Sequence, residues 1–331
     1  MVYIYKKKSG SRIYYYLRAS ERNNGKILVK DIAYLGNSLE EVKKSLNNKK
    51  YSSQIRKAYK TIHNFLESNK YVEDIIKLKL KKDELLGNKL IEIEACKLHY
   101  NSEFKKQQLI TKNEILKNFI IEFAYNTTAI EGNTIKLVEA RNLLEEGLTP
   151  KNKSLREIYD VQNTERVFLY LLNIKEELTH DLIVEIHKGL MENIDARKGY
   201  RTQDVRVVKA NFKSTPAPYV KTDMDLLLKW YNKNKNILHP MVLGSLFHHK
   251  FEKVHPFMDG NGRTGRMILN HILLKNNYPP LAIRTIKRKE YLEGLKAADK
   301  SELTKADKKD YEGLLVFMAN QMIQGYWSIF L

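Results

Sequence analysis

From His255 to Arg266 the chain reads HPFMDGNGRTGR, and no other stretch limits fold and chemistry so tightly. An imidazole, a carboxylate, three glycines and two guanidiniums share one loop and one helical turn. Upstream, Leu246, Phe247, Lys250, Phe251 and Val254 keep a helical spacing. Downstream, Met267, Ile268, Leu269, Ile272 and Leu273 do the same, so the stretch joins two core-facing helices. Gly260 and Gly262 permit backbone conformations closed to other residues, so successive N–H groups can converge where the second helix starts, an end whose dipole favours an anion. Arg263 and Arg266 sit against that dipole, at a cost of a few tenths to about 1 kcal/mol each. Their presence makes sense if something negative binds there, and polyphosphate suits a bidentate guanidinium fork. Asp259 would repel such a ligand unless a hard divalent cation lay between them. His255, with an ordinary pKa of about 6.5, suits a general base.

Other readings of the stretch are weaker. Asp259 or Asn261 could merely cap a helix, but that leaves two arginines at a helix start without a purpose. Gly260, Gly262 and Gly265 spell the dinucleotide-binding GxGxxG, yet a helix precedes them instead of a strand, and Pro279 and Pro280 stand near the place where an acidic residue belongs. No HRD or DFG follows, as a kinase loop would require. His248, His249, His255 and Asp259 form neither HExxH nor a Cys/His zinc pattern.

The stretch resembles the signature of the Fic family, HPFx(D/E)GNGRxxR, through His255, Pro256, Phe257, Asp259, Gly260, Asn261, Gly262, Arg263 and Arg266. The resemblance implies an enzyme that moves AMP from ATP to a protein hydroxyl. His255 matches the base and Asp259 the Mg²⁺ ligand. Gly260, Asn261, Gly262, Arg263, Thr264, Gly265 and Arg266 match the phosphate cradle. It covers residues of about 110 to 310 and implies a mainly α fold, a helical core with a β-hairpin flap. Thr127, Glu131 and Gly132 resemble the family's inhibitory pattern (S/T)xxxE(G/N), on a helix near 113–131. Glu131 at a helix end and Arg266 at a helix start each oppose their dipole, so pairing them relieves both and occupies a guanidinium that a γ-phosphate would need. Val207 and Val208 match the flap that holds a target segment, and Tyr291 and Asp299 match positions on the adenine side. At Asp299 the family's pattern has asparagine. The same site could run in reverse and remove AMP from a modified protein.

With 331 residues the chain has room for one large or two modest domains, and 43% hydrophobic residues suffice for a core. Its single cysteine, Cys96, excludes a disulfide framework and fits a reducing compartment. Met1 to Tyr5 run straight into Lys6, Lys7 and Lys8 without an apolar signal region, and Leu314 to Leu331 is broken by Asn320, Gln321 and Gln324. The expectation is a cytoplasmic protein without a membrane segment. Of the net charge of +19, residues 1–60 hold +11, from eleven Lys and four Arg against three Glu and one Asp. Nucleic acid or an acidic partner is a candidate for that region, as is simple base composition. A regulator built round nucleic-acid binding, with the Fic fold as nucleotide sensor, is the alternative from another class. The partners expected of an enzyme are a target hydroxyl, on another protein or on the chain itself, and a second copy in a homodimer.

Taken in order, Val2–Tyr5, Arg12–Arg18 and Lys26–Leu35 read as strands of a small antiparallel sheet, giving a basic β module over 1–37. Tyr14, Tyr15 and Tyr16 could stack on bases, although alternation sends at least one of them inward. Helical periodicity follows over 38–109 as a connector, with a long charged stretch from Tyr71 to about Phe104, and the Lys/Glu content of Lys77 to Glu94 could equally support a coiled-coil arm, though Gly87 and Asn88 interrupt it. Thr111 to Glu114 reads as a capping box, and Gly132 as a C-cap. Helices are expected at Thr134–Glu146, Ser154–Ile174 and Thr179–Met191, with His180 and His187 as packing or surface residues. Gly199–Lys221 reads as a hairpin. Lys289–Ala298 is helical, and 311–331 forms a terminal amphipathic helix.

Overall fold

The sequence opens with three runs rich in Tyr, Ile, Val and Leu separated by turn residues, and the computed structural model pairs them as β1 (Val2–Ser9), β2 (Arg12–Asn23) and β3 (Lys26–Gly36). The structure describes residues 1–10, 12–23, 26–205 and 214–331. The strands form one antiparallel sheet in the order β1-β2-β3, with Tyr5 opposite Tyr16 and Tyr16 opposite Tyr34. Ile4, Tyr15 and Leu17 point to one face and are buried there with Leu39 and Val42 of α1 (Leu39–Leu46). After the short α2 (Ser52–Lys57), α3 (Tyr59–Lys77) adds Ile62 to the same core. Gly36 has φ +125°, and a Cβ there would lie 2.4 Å from Glu41, so only glycine lets the chain turn from β3 into α1.

The first compact unit therefore runs from Met1 to Leu80, joined by Leu331, and the second from Lys81 to Phe330. These limits differ from the boundaries expected at 37 and 109. The first half of the supposed connector completes the core of the sheet, and its second half belongs to the helical unit. The charged stretch from Tyr71 is broken between α3 and α4, at the Gly87–Asn88 interruption and before it, so it forms no coiled-coil arm. The chain leaves α3 at Lys77, turns through positive φ at Lys79 and Gly87, and uses the Asp83 carboxylate to accept the Leu85 and Leu86 N–H groups.

In the second unit the chain forms α4 (Lys89–Ser102), α5 (Leu109–Glu131), α6 (Leu137–Glu146), α7 (Leu155–Asn173) and α8 (His180–Leu190). It continues with α9 (Val220–Asn234), α10 (Pro240–Val254), α11 (Asn261–Lys275), α12 (Arg288–Ala298) and α13 (Lys308–Ile329). The pair α10 and α11 is the axis of this unit. Every side chain from Met241 to Phe251, and from Arg263 to Leu273, is buried, as expected of helices enclosed on all sides. α9 and α13 pack on α10, while α5, α7 and α8 pack on α11.

Several expected boundaries move. α5 starts at Leu109 behind an uncapped Gln108, so Thr111 lies inside the helix and caps nothing. α6 starts at Leu137, three residues later than expected. Ser154 and Glu157 do form the expected capping box of α7, and Gly132 and Gly147 close α5 and α6 in left-handed conformations. In the hairpin expected over Gly199–Lys221 the middle falls outside the described residues, and the expected end is helical, since Ala217–Tyr219 is a 3₁₀ turn and Val220 opens α9. Val207 and Val208 lie outside the described residues. α13 starts at Lys308 and buries Tyr311, Leu314, Leu315 and Met318, so it is part of the core. Among the described residues no helix is long and apolar enough to cross a membrane.

Candidate active site

α10 ends at Val254, and His255 follows in the left-handed region at φ +54°. The loop then closes on Gly260, φ +75°, as the N-cap of α11. Asn261 fastens it from within. Its Oδ1 accepts the Phe257 N–H and its Nδ2 donates to the Phe257 carbonyl, both at 2.9 Å. Phe257 is fully buried and its ring lies flat on His187 of α8, centroids 3.6 Å apart. Burial, chiefly, pushes the His187 imidazole down to about 4, so it is neutral and its Nε2–H donates to the Asp259 carbonyl at 3.0 Å. On the other side Arg201, also buried, donates from Nε to the His255 carbonyl at 2.8 Å. Backbone strain and side-chain clamps together hold the loop in one shape.

His255 Nδ1 lies 3.3 Å from the Glu252 carbonyl, a contact that places the proton on Nδ1 and the basic lone pair on Nε2. Burial lowers its pKa below the usual 6.5, outweighing the Glu252 carbonyl contact and the charges of Glu131 and Asp259, which raise it. The imidazole is thus a neutral base at physiological pH.

At the start of α11 the cradle already holds an anion. Glu131, the last residue of α5, lays its carboxylate over Gly262 so closely that a Cβ there would lie 2.1 Å from Oε1. Arg266 Nη2 donates to the same Oε1 at 2.7 Å, and its Nε and Nη2 donate to the Thr127 hydroxyl and carbonyl at 2.6 and 2.9 Å. The guanidinium is 2% exposed while the Glu131 side chain is 45% exposed. Burial alone would lower the Arg266 pKa, but the charges of Glu131, Tyr291 and Glu252 drive it further up. The helix-end pairing expected from the dipoles is present.

Arg263 turns inward. Its Nη1 forms a buried ion pair with Asp160 of α7, its Nη2 lies 3.8 Å from Asp259 Oδ1, and its Nε is sealed without a partner. Asp259 itself pairs with Arg156 at the start of α7 and accepts the Gly260 N–H at 2.6 Å. Burial raises its pKa, but Arg156, Arg263 and that N–H together hold it below the usual carboxylate range.

A cleft of about 710 Å³ runs from Glu131 and Gly262 along the loop to Arg288, Leu292, Leu295 and Asp299 on the α12 side, a size suited to a small-molecule ligand. His255, Asp259, Gly260, Asn261, Gly262, Arg263, Arg266, Tyr291 and Asp299 all line it. Thr264 and Gly265 do not. Thr264 is buried, and a Cβ on Gly265 would lie 2.6 Å from His248 Nδ1, so both serve helix packing. Tyr291 is buried with its hydroxyl 2.6 Å from His248 Nε2 and forms the wall of the cleft, while Asp299 Oδ1 lies 3.1 Å from His249 Nε2.

Arg156, Asp160, His187 and Glu252 join the site without a signal in the sequence, since the first three sit on ordinary helical stretches far from the loop and Glu252, three residues before His255, reads as one more polar position of α10. Glu252 is the least conventional of them. Its Oε1 is sealed from water without a hydrogen-bond partner, and burial, reinforced by Glu131 and opposed by Arg266, pushes its carboxyl up to about 8.

A helical unit organised round two buried helices, with an anion cradle in the loop between them, defines a Fic-type fold. Residues 177–273, from before α8 into α11, match the Fic/DOC family. The protein adenylyltransferase fic-1 of Caenorhabditis elegans is 33% identical over 187 residues, 55% of this chain and 37% of that protein. The protein adenylyltransferase Fic of Nematostella vectensis is 31% identical over 197 residues, 57% of this chain and 45% of that protein. The chain thus spans less than half the length of these curated relatives. A Fic domain containing signaling protein from Bacteroides thetaiotaomicron superposes with a TM-score of 0.65 at 24% identity, covering 71% of this chain and 94% of that one, which establishes the fold.

Proposed function

We propose that the protein is a protein adenylyltransferase that transfers AMP from ATP to a Ser, Thr or Tyr hydroxyl and is restrained by Glu131. The observation that carries this reading is the Glu131 carboxylate resting on Gly262 and Arg266, which marks an anion site within the cleft that His255 lines. With Glu131 withdrawn, the amides at the start of α11 and the Arg266 guanidinium would receive the β- and γ-phosphates. His255 Nε2 would then take the proton of the target hydroxyl as its oxygen attacks the α-phosphorus in line. The new bond joins that oxygen to phosphorus, the bond to the β-phosphate oxygen breaks, and pyrophosphate leaves.

Asp259 fits Mg²⁺, because its carboxylate is 35% exposed beside the cradle and a hard cation takes one carboxylate together with phosphate oxygens. Bound there, Mg²⁺ would offset the charge that builds on the leaving pyrophosphate. Arg263, tied to Asp160, would hold Asp259 in place and add positive charge nearby. Val207 and Val208, by resemblance, would pair with the target backbone. The single buried thiol, Cys96, suits a reducing compartment, and the cytoplasm is the proposed location.

Intact-mass measurement after incubation with ATP and Mg²⁺ tests the reaction. Glu131→Gly gains AMP on the chain or on an added acceptor, wild type gains far less, and Glu131→Gly with His255→Ala gains none. A Glu131→Gly protein without Mg²⁺-dependent affinity for ATP would sink the reading.

A further inference from the structure

The sheet of the N-terminal unit buries one of its faces, and the other carries a repeated chemistry that the Fic domain leaves unexplained. Odd positions of β2, Tyr15 and Leu17 among them, enter the core, so its even positions share the outer face. The register lays Tyr5, Tyr16 and Tyr34 in a row across the three strands. Ring centroids of Tyr16 and Tyr14 lie 5.5 and 6.4 Å from that of Tyr34, which is 53% exposed. The Arg18 guanidinium sits 3.6 Å over the Tyr5 ring, and Lys7 stands opposite Tyr14. The acidic residue on this face, Asp31, is already bound by Arg18 at 2.6 Å.

Cross-strand tyrosine pairs help any sheet, but stability alone does not require a row of rings interleaved with cations on a solvent face. Every nucleobase offers a π face to such rings, and its phosphates offer charge to such cations. A duplex hides its base faces, and an acidic peptide would use the cations without the rings. The excess of positive charge in this part of the chain complements a polyanion.

We propose that the outer face of β1–β3 binds single-stranded nucleic acid, with bases stacked on Tyr14, Tyr16 and Tyr34 and phosphates held by Lys7 and Arg18. The proposal stands apart from the transfer reaction and survives if that reading fails.

Fluorescence anisotropy on the full chain tests it, with labelled oligothymidylate, oligouridylate and a duplex of equal length, titrated at several salt concentrations. Either single strand should bind more tightly than the duplex, and the preference between the two separates DNA from RNA. Tyr16→Ala with Tyr34→Ala should weaken binding roughly tenfold or more, while the matching Phe pair keeps it, because the ring and not the hydroxyl does the stacking. Lys7→Gln should lower the salt slope by about one. Ultraviolet cross-linking of the unaltered chain to a bromouracil-substituted strand should fall within β1–β3, and this readout needs no variant to fold. No binding at low salt, equal affinity for the duplex, an alanine pair with an unchanged melt and unchanged affinity, or cross-links confined to other residues would each overturn it.

Discussion

His255 is neutral by position. It ends a buried helix, and the lowered pKa means that its proton is lost below pH 6.5. Transfer by a Glu131→Gly protein should therefore rise with pH only on the acid side of 6.5 and be level through neutrality, as read from kcat/KM profiles. Removing the base should cost about 10²–10⁴-fold in that background, so His255→Ala should leave transfer near the detection limit in a discontinuous AMP-transfer assay. Glu252 carries the opposite shift. Its carboxyl keeps its proton in the fold up to about pH 8 but loses it near 4.5 when unfolded, so the folded state binds more protons between those values. Stability from this group is fully present below about 4.5 and is lost as pH rises towards about 8. Glu252→Gln should flatten that decline, which thermal melts across the range would show. That His255, Arg266 and Glu131 share one cleft was readable from residue type and helix position. The places of Glu252 and His187 were not, because burial and stacking partner cannot be read from a helical stretch.

At the scale of elements, the end of α5 carries the proposed restraint. Three contacts fix it. Arg266 holds Thr127, Arg288 Nε donates to the Ile130 carbonyl at 2.8 Å, and the Thr285 N–H donates to Asn126 at 2.8 Å. Gly132 then closes the helix at φ +109°, with open space where a Cβ would stand. Gly132→Ala therefore introduces backbone strain without a clash, of about 1 kcal/mol. It should lower Tm by about 2–4 °C and raise basal AMP transfer part of the way towards Glu131→Gly, checked by a melt and by intact mass on one preparation. The sequence pointed to Gly132 because left-handed glycine is a local requirement. It misplaced the start of α5, since Thr111 and Glu114 have the right chemistry but the helix begins at Leu109, directly after the 3₁₀ turn Phe104–Lys106 and without a side-chain cap.

At the scale of the molecule, the first unit ends near Leu80, because Leu39, Val42 and Ile62 share a core with the sheet. A cut after residue 37 would strip that core, whereas a cut after residue 80 would respect it. A chain of residues 81–330 should melt cooperatively and, carrying Glu131→Gly, still transfer AMP. A chain starting at residue 38 should be less stable and prone to aggregate, which size-exclusion chromatography and calorimetry would reveal.

What the sequence determined by itself is local: strand alternation, the apolar spacing of α10 and α11, the glycines that admit left-handed backbone, and an arginine set against a dipole. Each depends on residues a few positions apart. Tertiary structure alone decided the pairings of Arg156 with Asp259 and of Arg263 with Asp160, each across 103 positions, whereas the meeting of Arg266 with Glu131 was foreshadowed by their helix ends. Such contacts depend on where rigid helices cross, and side-chain spacing along the chain carries no record of that.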